Sequence, residues 1–317
     1  MNDEPNGNPH LRRSIGTTQL ALYALGSMIG SGIYGLIGKA AGQAGSAVWL
    51  SFLVALFAAL LTSLSYASLG SRYPRAGGAA YVTDRAFGIP LLSFTVGLAL
   101  VASGLTSIAT QSKIFAAIIA DFAGWGAVSP TAIAVGFLLI LSGVVFRGIR
   151  ESMWVNVVCT IMEVSGLLLV IGSGLSYWGS VDYFEIPPDR IDSGLAVVVV
   201  QASVLAFFAF IGFEDAVNVA EECREPERTI PRGLIIATVS AAVLYVAVSI
   251  TAVSVVPWQE LTSAPSPLTA VMAKSAPSLP AGLMTFIALF SVANTALVNY
   301  VTASRLIYGM SGQGLLP

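Results

Sequence analysis

The chain has 317 residues, 56% hydrophobic and only 10% charged, with a formal net charge of -2 and a mean hydropathy of +0.81. A water-soluble domain carries about a quarter charged residues, so this apolar surface is not all core, and the solvent facing it is lipid. The near balance of charge speaks against a nucleic-acid partner. One histidine, His10, and two cysteines, Cys159 and Cys223, suggest no catalytic centre, cofactor, metal site or disulfide framework.

Residues 1–16 form a polar tail rich in Asn, Pro and Gly. Arg12 and Arg13 before an apolar run imitate a signal peptide, but the run is too long for one and lacks a small-residue exit. It predicts a first membrane span instead. Apolar stretches able to cross ~30 Å of hydrocarbon, about 20 residues each, fall at 17–38, 46–70, 91–120, 129–146, 152–174, 195–220, 233–256 and 281–310. None alternates as barrel strands do, so all are expected to be helices.

The basic residues set an expected orientation. With the N-terminus in the cytoplasm, eleven Lys and Arg fall inside (Arg12, Arg13, Arg72, Arg75, Arg85, Arg147, Arg150, Arg224, Arg228, Arg232, Arg305) and three outside (Lys39, Arg190, Lys274). The chain is thus expected to be a multi-pass protein of the cell membrane.

Two spans carry glycine interruptions. The first reads Gly26-Ser27-Met28-Ile29-Gly30-Ser31-Gly32-Ile33-Tyr34-Gly35 and the sixth Phe208-Ala209-Phe210-Ile211-Gly212-Phe213-Glu214. Interrupted helices five spans apart predict an inverted repeat, the first unit about 17–174 and a partial second about 195–310, with a site where the breaks meet. The competing explanation is that these glycines only permit close helix packing. Three ionisable residues stand inside spans, where they default to functional candidates: Lys113, Glu163 and Glu214.

Four motifs in order resemble the amino acid–polyamine–organocation (APC) superfamily. They are Gly30-Ser31-Gly32-Ile33, the loop Ser71-Arg72-Tyr73-Pro74-Arg75-Ala76-Gly77-Gly78, the run FAFIGFEDAVNVAEECREPERTIP from Phe208 to Pro231, and the stretch from Ala303-Ser304-Arg305 to Gly314-Leu315-Leu316-Pro317. The resemblance implies an all-α, leucine-transporter-type inverted-repeat bundle and secondary transport of amino acids or related amines by alternating access. Family members normally have twelve helices and a ten-helix core. Eight spans make an incomplete bundle, expected to be either a piece of a longer protein or a natural truncation.

The resemblance and the local chemistry agree on how a ligand would bind. Freed amides of Ser31, Gly32 and Ile33, at the positive end of a half-helix, suit a carboxylate. Carbonyls of Met28, Phe208, Ala209 and Ile211 would accept from an α-ammonium. The expected substrate site is therefore Met28, Gly30, Ser31, Gly32, Ile33, Phe208, Ala209, Ile211 and Gly212, with Ser107 added by family register. Phe208 is the favoured aromatic gate, and Glu214 matches the family's acid beside the sixth-span break, able to gate or merely to cap.

Glu163 stands where many relatives carry a lysine acting as a fixed cation. A carboxyl there is expected to exchange a proton, to help bind a cation, or to pair with Lys113. The acidic and basic cluster from Glu221 to Arg228 is either a solvated loop or a latch onto the Arg72–Arg85 loop. Trp258, Pro257 and Pro265 are expected in an outer lid. Partners implied are an amino acid or amine, a proton or exchanged solute, and the bilayer. The readings that compete with transport are a non-transporting remnant or regulatory membrane subunit and a membrane-embedded enzyme, for which the spans hold no His, Cys or paired-Asp constellation.

Overall fold

The computed structural model describes residues 11, 13–122, 124, 128–280 and 282–316, without the side chains of Ser31 and Phe122. His10 and Arg12 lie outside the described residues. These residues hold α1 (Thr17–Ala44), α2 (Val48–Arg72), α3 (Gly78–Phe87), α4 (Pro90–Phe122), α5 (Pro130–Arg147), α6 (Ile149–Gly174), α7 (Leu195–Phe208), α8 (Asp215–Asn218), α9 (Pro226–Val255), α10 (Trp258–Ser263), α11 (Pro267–Ser275) and α12 (Gly282–Gly312). Every expected span coincides with one of them, the sixth being divided into α7 and α8.

Stretches long and apolar enough to cross a membrane are Gly32–Arg72, Pro90–Asp121, Pro130–Arg147, Ile149–Tyr177, Pro226–Val255 and Gly282–Gly312, while Leu195–Phe208 is shorter. α5, α9 and α11 begin on Pro130, Pro226 and Pro267, where the missing N–H has no helical partner to lose. Large apolar side chains face outward along the spans, Phe146 being 93% and Ile140 69% exposed. Such faces are stable only against lipid or further protein.

The helices sort into two groups. α1, α2, α7 and α9 pack on one another; α12 packs along α4, which also carries α5. α6 touches α1, α9 and α12, and α1 meets α12 directly. At one end, α10 and α11, where the lid is expected, pack over α1. Trp258 Nε1 donates to Glu185 Oε1 at 3.3 Å, and Leu261 and Thr262 press on the bare backbone at Gly38 and Gly42. Small residues at these two points allow the close approach. The opposite, arginine-rich end carries the start of α1, the α2–α3 loop and the α8–α9 connection.

Candidate functional site

The first break is narrower than the sequence suggests. α1 stays helical on both sides and only Gly30 departs, at φ 8° and ψ -161°. Its neighbours Met28, Ile29 and Ile33 are buried in the core, and this packing holds the flanks in register. The second break is wide. After Phe208 the N–H groups of Ala209, Phe210 and Ile211 bond only three residues back, to Ala206, Phe207 and Phe208 (3.1, 2.9 and 3.3 Å). Gly212 then turns to φ 140°, a conformation open to glycine and costly to other residues.

The two breaks touch. A Cβ on Gly212 would lie 2.8 Å from Ser27 C and 2.9 Å from Met28 N. Tyr245 of α9 completes the join, its hydroxyl donating to Met28 O at 2.7 Å and Ala209 O at 2.9 Å. Its ring meets Phe210 edge-on at 5.0 Å between centroids. Two of the carbonyls expected to be free for an ammonium are thus already hydrogen-bonded to protein, and Phe208 O accepts from Ile211.

A cavity of about 450 Å³ opens at this join, between the two helix groups. Of the expected residues, Met28, Gly30, Gly32, Ser107, Phe208, Ile211, Gly212 and Glu214 border it. Ile33 and Ala209 do not; both are buried in the core behind it. Phe208 lies at the rim, 60% exposed, whereas Phe207 and Phe210 pack into the core. Glu214 caps the turn ahead of it, Oε2 accepting from Gly212 N at 2.9 Å, and makes no side-chain bond to the start of α8.

The cavity also has polar walls that the sequence reading passed over. α4 supplies Ser103 and Gln111, α12 supplies Thr295, Asn299 and Thr302, and Asp215 stands beside Glu214. Asp215 Oδ2 accepts from Ser27 Oγ at 2.5 Å and Oδ1 from Thr302 Oγ1 at 3.0 Å. The visible signal was the second acid of the Phe-Glu-Asp triplet. Tyr245, a phenol mid-span with a hydroxyl needing a partner, was legible on the same ground.

Glu163 lies on α6, fully buried and apart from the cavity. Thr160 pairs with Asn294 of α12 (3.2 Å), and Gly166 packs on Ile287. This antiparallel register sets Glu163 across from Ser291. Tyr34 of α1 donates to the Glu163 carbonyl at 3.2 Å, and Gly26 packs against Thr160 and Asn294, which puts the carboxyl beside the α1 break. Its carboxyl has Asn294 of α12 as a polar neighbour, but among the described residues neither its oxygens nor Ser291 Oγ make a hydrogen bond of ordinary geometry. The alternative, a pairing with Lys113, is not formed: Lys113 is exposed on α4, and the described ion pairs lie elsewhere.

At the arginine-rich end the acidic cluster is a latch more than a loop. Glu222, 2% exposed, receives Arg305 Nη2 at 2.7 Å and Nε at 3.1 Å. Burial raises its carboxyl above the usual range, and the Arg305 guanidinium opposes that shift. Glu221 accepts from Ala76 N at 2.9 Å and faces Arg75 at 4.0 Å. The α2–α3 loop is therefore one partner, as expected, and α12 is the stronger one.

The comparisons with known proteins agree with this geometry. The family model for amino acid permeases matches residues 15–317. The branched-chain amino acid permease BcaP of Bacillus subtilis is 27% identical over 98% of this chain and 70% of its own length. The chloroplastic cationic amino acid transporter 9 of Arabidopsis thaliana is 30% identical over 97% of this chain and 56% of its own. The methylthioribose transporter of Bacillus subtilis is 30% identical over 97% and 69%. The crystal structure of MhsT in complex with L-phenylalanine superposes with a TM-score of 0.66 over 96% of this chain and 76% of that one, at 18% identity, which establishes the fold alone. The chain belongs to the amino acid permease family of the APC superfamily and has its all-helical, leucine-transporter-type fold. It spans 56% to 70% of the length of these three curated relatives.

Proposed function

We propose that the protein is a secondary transporter of amino acids or closely related amines, working by alternating access in the cell membrane with its N-terminus in the cytoplasm. The observation that carries this reading is the cavity at the meeting of two broken helices, lined by backbone at Gly30, Gly32 and Gly212. A half-helix beginning after Gly30 directs its positive end toward that space, which suits a carboxylate, while Ile211 and the carboxyls of Glu214 and Asp215 offer the acceptors an ammonium needs. The two halves, about 17–174 and 195–310, act as a first repeat and a partial second one.

Coupling is assigned to a proton, with exchange as the mode that persists without a gradient. Glu163 supports this assignment: it is buried with no charged partner among the described residues, Asn294 being its polar neighbour, beside the α1 break and away from the cavity. A carboxyl so placed can hold a proton without touching substrate. Reconstitution in liposomes tests the function. Saturable uptake of labelled amino acids, stimulated by an inward proton gradient, is expected. Absence of both uptake and amino acid binding would favour a non-transporting remnant or regulatory subunit.

A further inference from the structure

One face of α12 fastens three elements together at the arginine-rich end. Thr302, Arg305 and Gly309 follow one another at helical spacing, and each grips a different element. Thr302 donates to Asp215 on α8. Arg305 grips Glu222, whose backbone carbonyl in turn accepts from Ser14 N at 2.8 Å and Ile15 N at 3.0 Å. The segment before α1 is fastened to the same rung and pairs with Cys223 as an isolated parallel bridge. Gly309 lies so close to Ala76 and Gly77 of the α2–α3 loop that a Cβ would overlap their backbone.

The top rung differs from the lower two because it borders the cavity. Asp215 joins three elements there: α8, which carries it, α1 through Ser27, and α12 through Thr302. The titratable and charged groups around it are Glu214 beside it, Tyr23 of α1 (3.4 Å from Thr302 Oγ1), Tyr66 of α2, and Glu222 with Arg305 one turn below. No Lys or Arg borders the cavity among the described residues. The Asp215 carboxylate is therefore held by two neutral hydroxyls, which a group arriving in the cavity can displace more easily than a guanidinium.

We infer that Asp215, a residue of the cavity wall, transmits occupancy of the cavity to the closure at the arginine-rich end. While Ser27 and Thr302 donate to it, α8 stays tied to α12 and the lower rungs remain formed. A cationic group of the cargo that takes over the carboxylate loosens the ladder from its top. This inference rests on the transporter reading above, but its test needs no transport.

Cys223 is a built-in reporter. It is wholly buried beside Glu222, and burial, with the neighbouring carboxylate, pushes its thiol up to about 12. It is inert to maleimide while the rung is formed. The experiment measures maleimide labelling of Cys223 in inside-out membrane vesicles of the Cys159→Ala protein. Arg305→Ala, Asp215→Ala and Thr302→Val should each speed labelling about tenfold or more, through a more frequent local opening. Asp215→Asn keeps the size and one acceptor and should fall between them and the parent. If Arg305→Ala speeds labelling while Asp215→Ala and Thr302→Val label at the parental rate, Asp215 does not reach the closure and the inference is wrong. Parental labelling in Arg305→Ala would overturn the ladder itself. Failed transport by a protein whose labelling still responds to Asp215→Ala would instead strike the proposed function and leave the ladder standing.

Discussion

The two broken helices solve one problem in opposite ways. α1 gives up helical geometry at Gly30 alone and stays gripped by core on both flanks, whereas the α7–α8 break runs from Ala209 to Glu214 and is shaped by glycine, a capping acid and Tyr245. The first break is a single-residue kink; the second is a wall of the cavity. Their acids differ in parallel. Glu163 behind the first has only Asn294 as a polar neighbour and no bond of ordinary geometry among the described residues, while Glu214 and Asp215 at the second are held by a backbone N–H and by two hydroxyls. A tight break with a weakly held acid is suited to being biased by charge. A wide break with engaged acids is suited to holding a ligand.

Substitutions can break this contrast, and the largest effect is expected at Gly212. Gly212→Leu forces a side chain into Ser27 and Met28 at a positive φ. It should cost roughly 3 kcal/mol or more, seen as loss of monodisperse protein on size-exclusion chromatography. Normal yield and melting would mean the wall is pliable.

Gly32→Leu is expected to act on binding instead. A Cβ there meets only Ala209 Cα, at an ordinary 3.7 Å, so the fold survives while the side chain fills ligand space. Affinity should fall about 100-fold, about 2.7 kcal/mol, by calorimetry. Unchanged affinity would place the ligand elsewhere.

Glu163→Gln sharpens the first half of the comparison. The amide fixes a neutral group next to the α1 break, so substrate exchange should stay within about twofold of the parent while accumulation driven by a pH gradient is lost. Parental accumulation with an unaltered pH profile would make Glu163 a structural polar group. The smallest effect is expected for Tyr245→Phe, which removes one hydroxyl shared by Met28 O and Ala209 O. About 1 kcal/mol of stability should be lost, read as a modest drop in melting temperature. No drop would show that the two breaks are not joined through that phenol.

Spans and breaks were legible in the sequence because their physics is local. Hydrocarbon thickness sets run length, and glycine runs mark where a helix can yield. The border of the cavity was legible where backbone makes it, at Gly30, Gly32 and Gly212. It was not legible where side chains from distant helices converge: Thr302 reaches Asp215 across 87 positions and Tyr245 reaches Met28 across 217. Ile33 and Ala209 are buried in the core and do not border the cavity; position beside a break does not tell which way a helix face turns.

The lid has a mechanical consequence. From Gly30 to Ala44 α1 is a rod about 20 Å long, at about 1.5 Å per residue, and the lid is seated on it at Gly38, against the Leu261 carbonyl and Pro267, and at Gly42, against the Thr262 side chain. A tilt of about 10° at Gly30 would swing the far tip of such a rod by about 3–4 Å. Since the lid sits at van der Waals contact or closer on the rod's two glycines, such a tilt would carry the lid with it as a load on a lever. A small rotation at the pivot would thus become a larger displacement at the far end of the helix.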